Sequence, residues 1–422
     1  MKLVSSCVNT TQPRRYTRIL LVTSSNFPFG GAGANVLRLL TIGLVQTGRK
    51  VSVLLQRGKQ FGEKPITSKT REGNIEGVSY AYCGFLTRNG NYIKKIIDSL
   101  AGIIIPALFL IRNHHQLDCV IIYNGSAYEC VPILIACKIL RVPIINHVVE
   151  WYAKETLLKS WYHLPKWWDF LFRMKIVNKY FNGLIVTSTF LKSYYTKRNF
   201  KSESIFILPN LVDSSTFQIK DSLKFKENKN SVRIGYCGTP TKKDGINDLF
   251  LAFKKVHKLH PNSELYIIGD TKKKSVLPKC KEISKELGIF EKVHFTGLVE
   301  WTQIPILLNS CDILVLARPS GRFAEAGFPT KLGEYMSCRK PVVVTRVGDI
   351  PFYLKDKENA MLAEPDNPDS FAFKINFLIE NPETAQKIGE NGYRWSKNKL
   401  GYVESTQNVG KFLEKFTKIN CH

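Results

Sequence analysis

The sequence has no C-x-x-C pair, little negative charge for its size, and no apolar run long enough to cross a bilayer. Each shortage excludes something. Its ten cysteines (Cys7, Cys83, Cys119, Cys130, Cys137, Cys237, Cys280, Cys311, Cys338 and Cys421) are scattered, several inside strand-like apolar runs such as Asp118-Cys119-Val120-Ile121-Ile122. Buried thiols in a reducing compartment account for this spacing better than disulfides or a zinc site. The opening MKLVSSCVNTTQPRR lacks the apolar stretch of a secretory signal, which also argues against Cys7 as a lipoprotein cysteine, so a cytoplasmic protein is expected. The longest apolar run, Leu100 to Ile111, is twelve residues interrupted by Pro106. About twenty are needed to span a membrane as a helix, so this run reads as a buried or interfacial helix.

Carboxylates are outnumbered by cations, 35 Asp+Glu against 61 Lys+Arg, for a net charge of +26. Residues 1–215 carry 28 Lys+Arg against 11 Asp+Glu, so the excess is concentrated in the first half. Anionic surfaces and phosphorylated small molecules are therefore candidate partners. The 422 residues exceed one hydrophobic core and suit two domains. A hydrophobic content of 44% and a mean hydropathy of -0.12 are those of a globular chain.

Short apolar runs alternate with amphipathic stretches, the pattern of parallel sheets covered by helices. The strand candidates are 18–24, 50–55, 120–123, 144–148, 184–188 and 205–208, then 232–237, 264–269, 293–296, 313–317 and 341–345. Most are Val- and Ile-rich throughout, as strands buried on both faces should be. The polar stretch FQIKDSLKFKENKNS reads as a linker near 215–231. The expected fold class is α/β, two Rossmann-like doubly wound domains, residues 1–215 and 216–422, facing across a cleft. Ligands bind such sheets at the carboxyl ends of the strands.

The first strand end runs into Gly30-Gly31-Ala32-Gly33-Ala34-Asn35 and a helical stretch. Gly31 there can let backbone N–H groups approach a ligand, or simply make a tight turn. A dinucleotide fingerprint would need its glycines nearer the strand and an acid ending the second strand, where Gln56-Arg57 stands instead, so a nicotinamide cofactor is disfavoured. In the second half a strand ends at Gly238-Thr239, followed by Lys242-Lys243-Asp244-Gly245, which places ammonium groups behind a glycine turn. Solvated loop lysines would read the same. Another strand ends at Gly269.

The densest motif is Arg318-Pro319-Ser320-Gly321-Arg322-Phe323-Ala324-Glu325-Ala326-Gly327-Phe328-Pro329-Thr330-Lys331-Leu332-Gly333-Glu334. A helix beginning near Pro329 offers unpaired amides and a positive dipole end to a phosphate. Lys331 lies in its first turn, and Glu334 one turn later can accept from a ribose hydroxyl pair. An anion site, a lysine and a carboxylate at one strand end form a nucleoside-diphosphate constellation.

These motifs resemble the retaining glycosyltransferases of family 4, of GT-B fold (the glycosyl transferases group 1), over nearly the whole chain. Supporting marks are Leu208-Pro209-Asn210-Leu211-Val212-Asp213, similar to the family's P-N-G-V-D, and the wording G-F-P-T-K-L-G-E-Y-M from Gly327. The family's Glu-x7-Glu pair places its second, ribose-binding Glu on Glu334, whereas its first falls on Ala326, with Glu325 the nearest carboxylate. The family's Arg after the glycine is Thr239 here, which passes phosphate contact to Lys242 or Lys243.

The resemblance implies transfer of a sugar from a nucleoside diphosphate sugar to an acceptor hydroxyl, with retention and without an obligatory metal or other cofactor. It implies donor contacts at Gly31, Gly238, Lys242, Gly269, Gly327, Phe328, Thr330, Leu332 and Glu334, and catalytic contributions from Lys243, Lys331 and Glu325. His147 or Glu150, at the end of the strand 144–148, would orient sugar or acceptor, although a lone strand-end His is commonly structural. The last helix is expected to cross back to the first domain.

Residues 151–201 hold 10 Lys+Arg against 2 Asp+Glu, interleaved with Trp151, Trp161, Tyr162, Trp167, Trp168, Phe170 and Phe172. Such a stretch suits an anionic membrane interface, with Ile93–Arg112 as a second contact; core aromatics with a solvated lysine face would read alike. The expected protein is peripheral on the inner face of the cell membrane and acts on a glycan or lipid-linked sugar acceptor in surface polysaccharide or glycolipid synthesis. Two other readings remain, a GT-B sugar-nucleotide epimerase and a basic nucleic-acid-binding protein. No helix-turn-helix, zinc finger or aromatic RNA-binding motif is present, so no specific nucleic-acid partner is expected.

Overall fold

The computed structural model describes residues 17–58, 71–86, 92–152, 154–158, 160–219, 231–271 and 275–417. Cys7, Cys421, Asn91 and most of the polar stretch read as a linker lie outside the described residues.

Two separate sheets form. The first holds β1 (Arg18–Thr23), β2 (Lys50–Leu55), β3 (Glu72–Ile75), β4 (Val78–Tyr82), β5 (Cys119–Tyr123), β6 (Ile144–Val148), β7 (Gly183–Val186) and β8 (Ile205–Ile207). Their spatial order is β3-β4-β2-β1-β5-β6-β7-β8, parallel except for the β3–β4 hairpin. The second holds β9 (Val232–Cys237), β10 (Ser263–Ile268), β11 (Val293–Gly297), β12 (Ile313–Leu316), β13 (Val342–Thr345) and β14 (Met361–Ala363), in the order β11-β10-β9-β12-β13-β14 and wholly parallel. This is the GT-B architecture.

The central strands are buried end to end because helices cover both faces. In β1, Leu20 and Val22 pack with one apolar cluster while Ile19 and Leu21 pack with another. From β1 the order proceeds through β2 to one side and through β5, β6 and β7 to the other. Right-handed crossovers therefore place their helices on opposite faces. Helix Ala32–Gln46 covers one face, and the final helix, Tyr402–Glu414, packs beside it. Helices Tyr92–Asn113, Ala127–Ile139 and Leu164–Lys175 cover the other.

Strands β3, β4 and β14 were not among the candidates. The EGNI of β3 is a polar edge strand that turns through Glu76 and Gly77, both at positive φ (48° and 86°), and β14 is only three residues long. The apolar run from Leu100 is embedded in the 22-residue helix Tyr92–Asn113, and among the described residues no helix is long and apolar enough to cross a membrane. All eight described cysteines are buried and unpaired. The basic aromatic stretch is not one helix: it breaks into Lys154–Leu157, Leu164–Lys175 and Thr189–Thr196, with a 3-10 turn between the first two and a 3-10 turn and strand β7 between the last two. Its aromatics divide accordingly, Trp151 and Phe170 into the core and Trp161, Tyr162, Trp168 and Phe172 to the surface.

Candidate active site

The two lobes meet where both sets of strands end. The loop after β12 inserts against the first lobe. Ala326 is fully buried, and its carbonyl accepts from Ser188 Oγ (2.9 Å) and Thr187 Oγ1 (3.2 Å). Asp349 accepts from the Thr189 amide (2.8 Å) and hydroxyl (2.5 Å) at the start of helix Thr189–Thr196, and Asn210 Nδ2 donates to the Phe328 carbonyl. The Arg322 guanidinium lies over the Trp151 ring at 5.4 Å.

The helix Thr330–Ser337 starts at this junction, with Pro329 as its N-cap. Its first two amides, of Thr330 and Lys331, have no intrahelical acceptor, as at any helix start. Lys331 reaches back under the end of β9. Its Nζ contacts Tyr236 Oη (3.2 Å) and pairs with the Asp244 carboxylate, which also accepts from Tyr236 Oη (2.8 Å). Gly238 makes room for it: at φ +138°, a Cβ there would lie 2.3 Å from Lys331 Cε. Gly245, at φ +68°, turns the chain just after Asp244, and a Cβ there would strike the Ala317 carbonyl at 1.6 Å. Burial pushes the Asp244 carboxyl up, but the Lys331 ammonium, hydrogen bonds from Lys331 and Tyr236, and the Arg318 charge together hold it below the ordinary aspartate range.

One turn on, Glu334 is 9% exposed and its carboxylate has no hydrogen-bond partner among the described residues. Burial raises its pKa to about 7, against the pull of Lys331. From the opposite lobe, Glu150 Oε1 meets Lys243 Nζ at 2.5 Å across the cleft. That ammonium also lies 3.8 Å from the centroid of the Phe323 ring. Arg318 comes up beneath Phe323 at 4.9 Å, only 3% exposed, with its Nε unpartnered and its Nη1 donating to the Gly327 carbonyl (3.4 Å). Three cations and an unsatisfied carboxylate thus converge on one strand-end junction.

The remaining expected residues fall as follows. Gly269 lies beside Gly238, its Cβ direction 3.1 Å from that residue's carbonyl, and Gly31 caps helix Ala32–Gln46 with open space on its Cβ side. Thr330 opens the Lys331 helix half-buried, and Lys242 is exposed. Glu325 turns toward the Gly348 amide at 3.4 Å. Leu332 departs from expectation: its side chain is in the core and its amide bonds to Pro329, so it offers the cleft nothing. Phe328 is 4% exposed and packs edge-on with Tyr353, which leaves only its backbone available.

His147 departs likewise. It is 1% exposed, packed edge-on to Tyr123 at 5.1 Å, and burial lowers its pKa to about 3. Neither ring nitrogen has a protein partner, so it stands as an enclosed neutral imidazole and not on the cleft surface. Its strand is buried on both faces along its whole length, so the ring is enclosed by neighbouring elements and is not presented to the cleft.

Asp244, Arg318, Tyr236 and Phe323 were not singled out as site residues. Arg318 was detectable in principle, being a charged residue two positions after an apolar strand end, and Asp244 as the acid beside Lys242 and Lys243 in the loop after β9. Among the described residues, no three of His, Cys, Asp and Glu come together as metal ligands.

Residues 217–395 match the family model of the glycosyl transferases group 1. An uncharacterized glycosyltransferase of Methanocaldococcus jannaschii is 32% identical over 125 residues, 30% of this chain and 34% of that one. The lipopolysaccharide 1,2-N-acetylglucosaminetransferase of Salmonella typhimurium is 25% identical over 240 residues, 53% of this chain and 62% of that one. The chain thus spans between about a third and 62% of the length of the curated relatives named here. Among solved structures, Anabaena HepE in complex with UDP and glucose superposes with a TM-score of 0.70 at 17% identity, covering 95% of this chain and 100% of that one.

Proposed function

We propose that this chain, whose second lobe carries a glycosyl transferases group 1 domain, transfers a sugar from a nucleoside diphosphate sugar to an acceptor hydroxyl with retention of configuration. Residues 1–215 form the acceptor lobe and residues 216–422 the donor lobe, except that the final helix, Tyr402–Glu414, crosses back to pack on the acceptor lobe. The observation that carries the reading is the placement of Lys331 at the N-terminus of its helix beneath Gly238, with the partnerless Glu334 one turn away.

The difficult step is departure of the nucleotide diphosphate while the sugar carbon becomes cation-like. Lys331, Lys243 and the first-turn amides of the Thr330 helix face the place where that negative charge grows, and one such preorganised donor contributes about 3 kcal/mol. Both lysines are held by carboxylates, Asp244 and Glu150, so an arriving diphosphate takes over partners already in position. These side chains supply the charge neutralisation, and the reaction is expected to need no obligatory metal. Glu334 accepts from the ribose hydroxyls and so gains the donors it lacks. Glu150, released from Lys243, is the cleft-facing group that can orient the acceptor hydroxyl, whereas His147 lies behind the surface. Glu325, fastened toward Gly348, bounds the sugar pocket.

UDP bound in the Anabaena neighbour and the glycan acceptor named for the Salmonella relative support a nucleotide-sugar donor and a glycan or lipid-linked acceptor in surface polysaccharide or glycolipid synthesis. Thermal shift against UDP-, GDP- and ADP-sugars tests the proposal. A rise in melting temperature with one of them, absent with duplex DNA, is expected; no rise with any of them refutes the donor site.

A further inference from the structure

Helix Tyr92–Asn113 is apolar on the side turned away from the core. Ile93, Ile97, Leu100, Ile104, Leu108 and Ile111 are each between 44% and 65% exposed. At about 100° per residue these six fall within about 80° of the helix surface. Gly102, Pro106 and Leu110 occupy the opposite, buried side. A soluble helix normally has one apolar face, and a second one pointing outward marks an interaction surface.

Two neighbours extend it. Helix Ala127–Ile139 packs against the first and exposes Tyr128, Ile135 and Ile139 along one stripe. Helix Leu164–Lys175 packs against the second and exposes Leu164, Trp168 and Phe172 at spacings of four. Just before it stand Trp161, 81% exposed, and Tyr162, 64% exposed.

Charge on these helices is sorted. Every described carboxylate on them is engaged inward. Asp98 accepts from the Gly58 and Phe85 amides, Glu129 pairs with Arg57, and Asp169 accepts from the Ala127 and Tyr128 amides. Of the bases, Lys95, Arg112, Lys138, Lys166 and Lys175 are exposed, Lys94 is half-buried, and Arg173 is buried and donates to the Gly125 carbonyl. An apolar, Trp-bearing surface on helices whose exposed charges are all cationic complements an anionic bilayer, in which the side chains reach the acyl boundary and the ammonium groups meet lipid phosphates.

The face also has an orientation. In a parallel sheet the helix after a strand begins at the cleft side. Tyr128, shortly after β5, and Trp161, following β6, therefore lie at the cleft end, while Ile111 and Ile139 lie at the far end. Phe170 of the third helix packs edge-on with Trp151 at 5.8 Å, and Trp151 in turn lies under Arg322 of the opposite lobe. The cleft end of the surface is thus backed by buried rings that pack against the junction of the two lobes.

We infer that these three helices dock the protein on an anionic membrane with the cleft mouth at the lipid surface, so that the acceptor sugar is reached while still attached to its lipid carrier. The acceptor clause rests on the transferase reading above; the docking clause does not.

The full-length protein is floated with phosphatidylcholine vesicles with or without phosphatidylglycerol at low salt. Binding is expected only with phosphatidylglycerol. The pair Ile97→Asp and Ile104→Asp should lower partitioning by about tenfold, and Lys166→Glu with Lys175→Glu should do so without touching apolar surface. Each variant should keep the melting shift given by UDP-glucose, which shows that it is folded and tests the donor site separately. Wild-type protein that fails to float with phosphatidylglycerol vesicles overturns the inference and leaves the transferase reading standing. So does undiminished binding by both variant pairs. A dimer in size-exclusion chromatography that Ile97→Asp with Ile104→Asp dissociates would assign the face to a second copy and also overturn it.

Discussion

Glu334 makes donor binding pH-dependent in a way that can be measured. Its carboxyl is lifted from an ordinary value of 4.5 to about 7 because it is buried without a donor. If ribose hydroxyls donate to it, the bound complex favours the ionised form and its pKa falls back toward the ordinary range. Binding then expels the proton that the free site holds below pH 7. Between pH 8 and pH 6 the affinity for the nucleotide sugar that raises the melting temperature should weaken by about tenfold, worth about 1.4 kcal/mol, with close to one proton released at the lower pH. A nucleotide sugar is the right probe because its diphosphate is esterified at both ends and does not itself titrate there. Calorimetry in buffers of different ionisation enthalpy counts the proton. The Glu334→Gln variant should bind with a flat profile. The same group also tunes stability without ligand. An acid with a raised folded pKa favours folding fully below its unfolded value, and this contribution is lost as pH rises through the folded one. Glu334→Gln should therefore gain stability relative to wild type above pH 7, by at most about 3 kcal/mol. Equal affinity at both pH values, or an unchanged slope in Glu334→Gln, would refute the ribose assignment.

Lys331→Ala should keep the fold but lower turnover by about a hundredfold or more; near-normal rates in a steady-state assay would displace the phosphate site. It also strands Asp244 in a buried position, so Lys331→Ala with Asp244→Asn should melt higher than the single variant. Gly238→Ala drives a methyl into Lys331 and is expected to weaken UDP-glucose binding at least tenfold by calorimetry. Glu150→Gln removes a partly exposed ion pair, which should change stability by less than about 1 kcal/mol; a fall in kcat with the donor Kd unchanged would fit acceptor orientation, and an unchanged kcat would remove that role.

Two doubly wound lobes were legible in the chain because strands covered on both faces must be continuously apolar, and runs such as Cys119–Tyr123 and Val342–Thr345 can be little else. Lys331, Glu334 and Gly238 could be named as candidates because strand-end motifs are local in sequence, and the structure places Lys331 against Gly238. What tertiary structure decided is pairing at long range. That Lys331 would be held by Asp244 and Arg318 be buried beneath Phe323 depends on how loops fold together at the strand ends of one lobe, and that Glu150 would meet Lys243 depends on how the two lobes approach. So does the state of His147, whose side chain can be read as a strand-end ligand until the sheet around it is seen to close. The same applies to Ala326, where the family's first glutamate would stand: its carbonyl is caught by Thr187 and Ser188 of the first lobe and its side chain is packed into that lobe's core, which leaves no room for a carboxylate. Periodicity records which faces of an element are apolar. Only the packing of one element on another determines whether an apolar face is covered, and on the helix Tyr92–Asn113 it leaves one face bare.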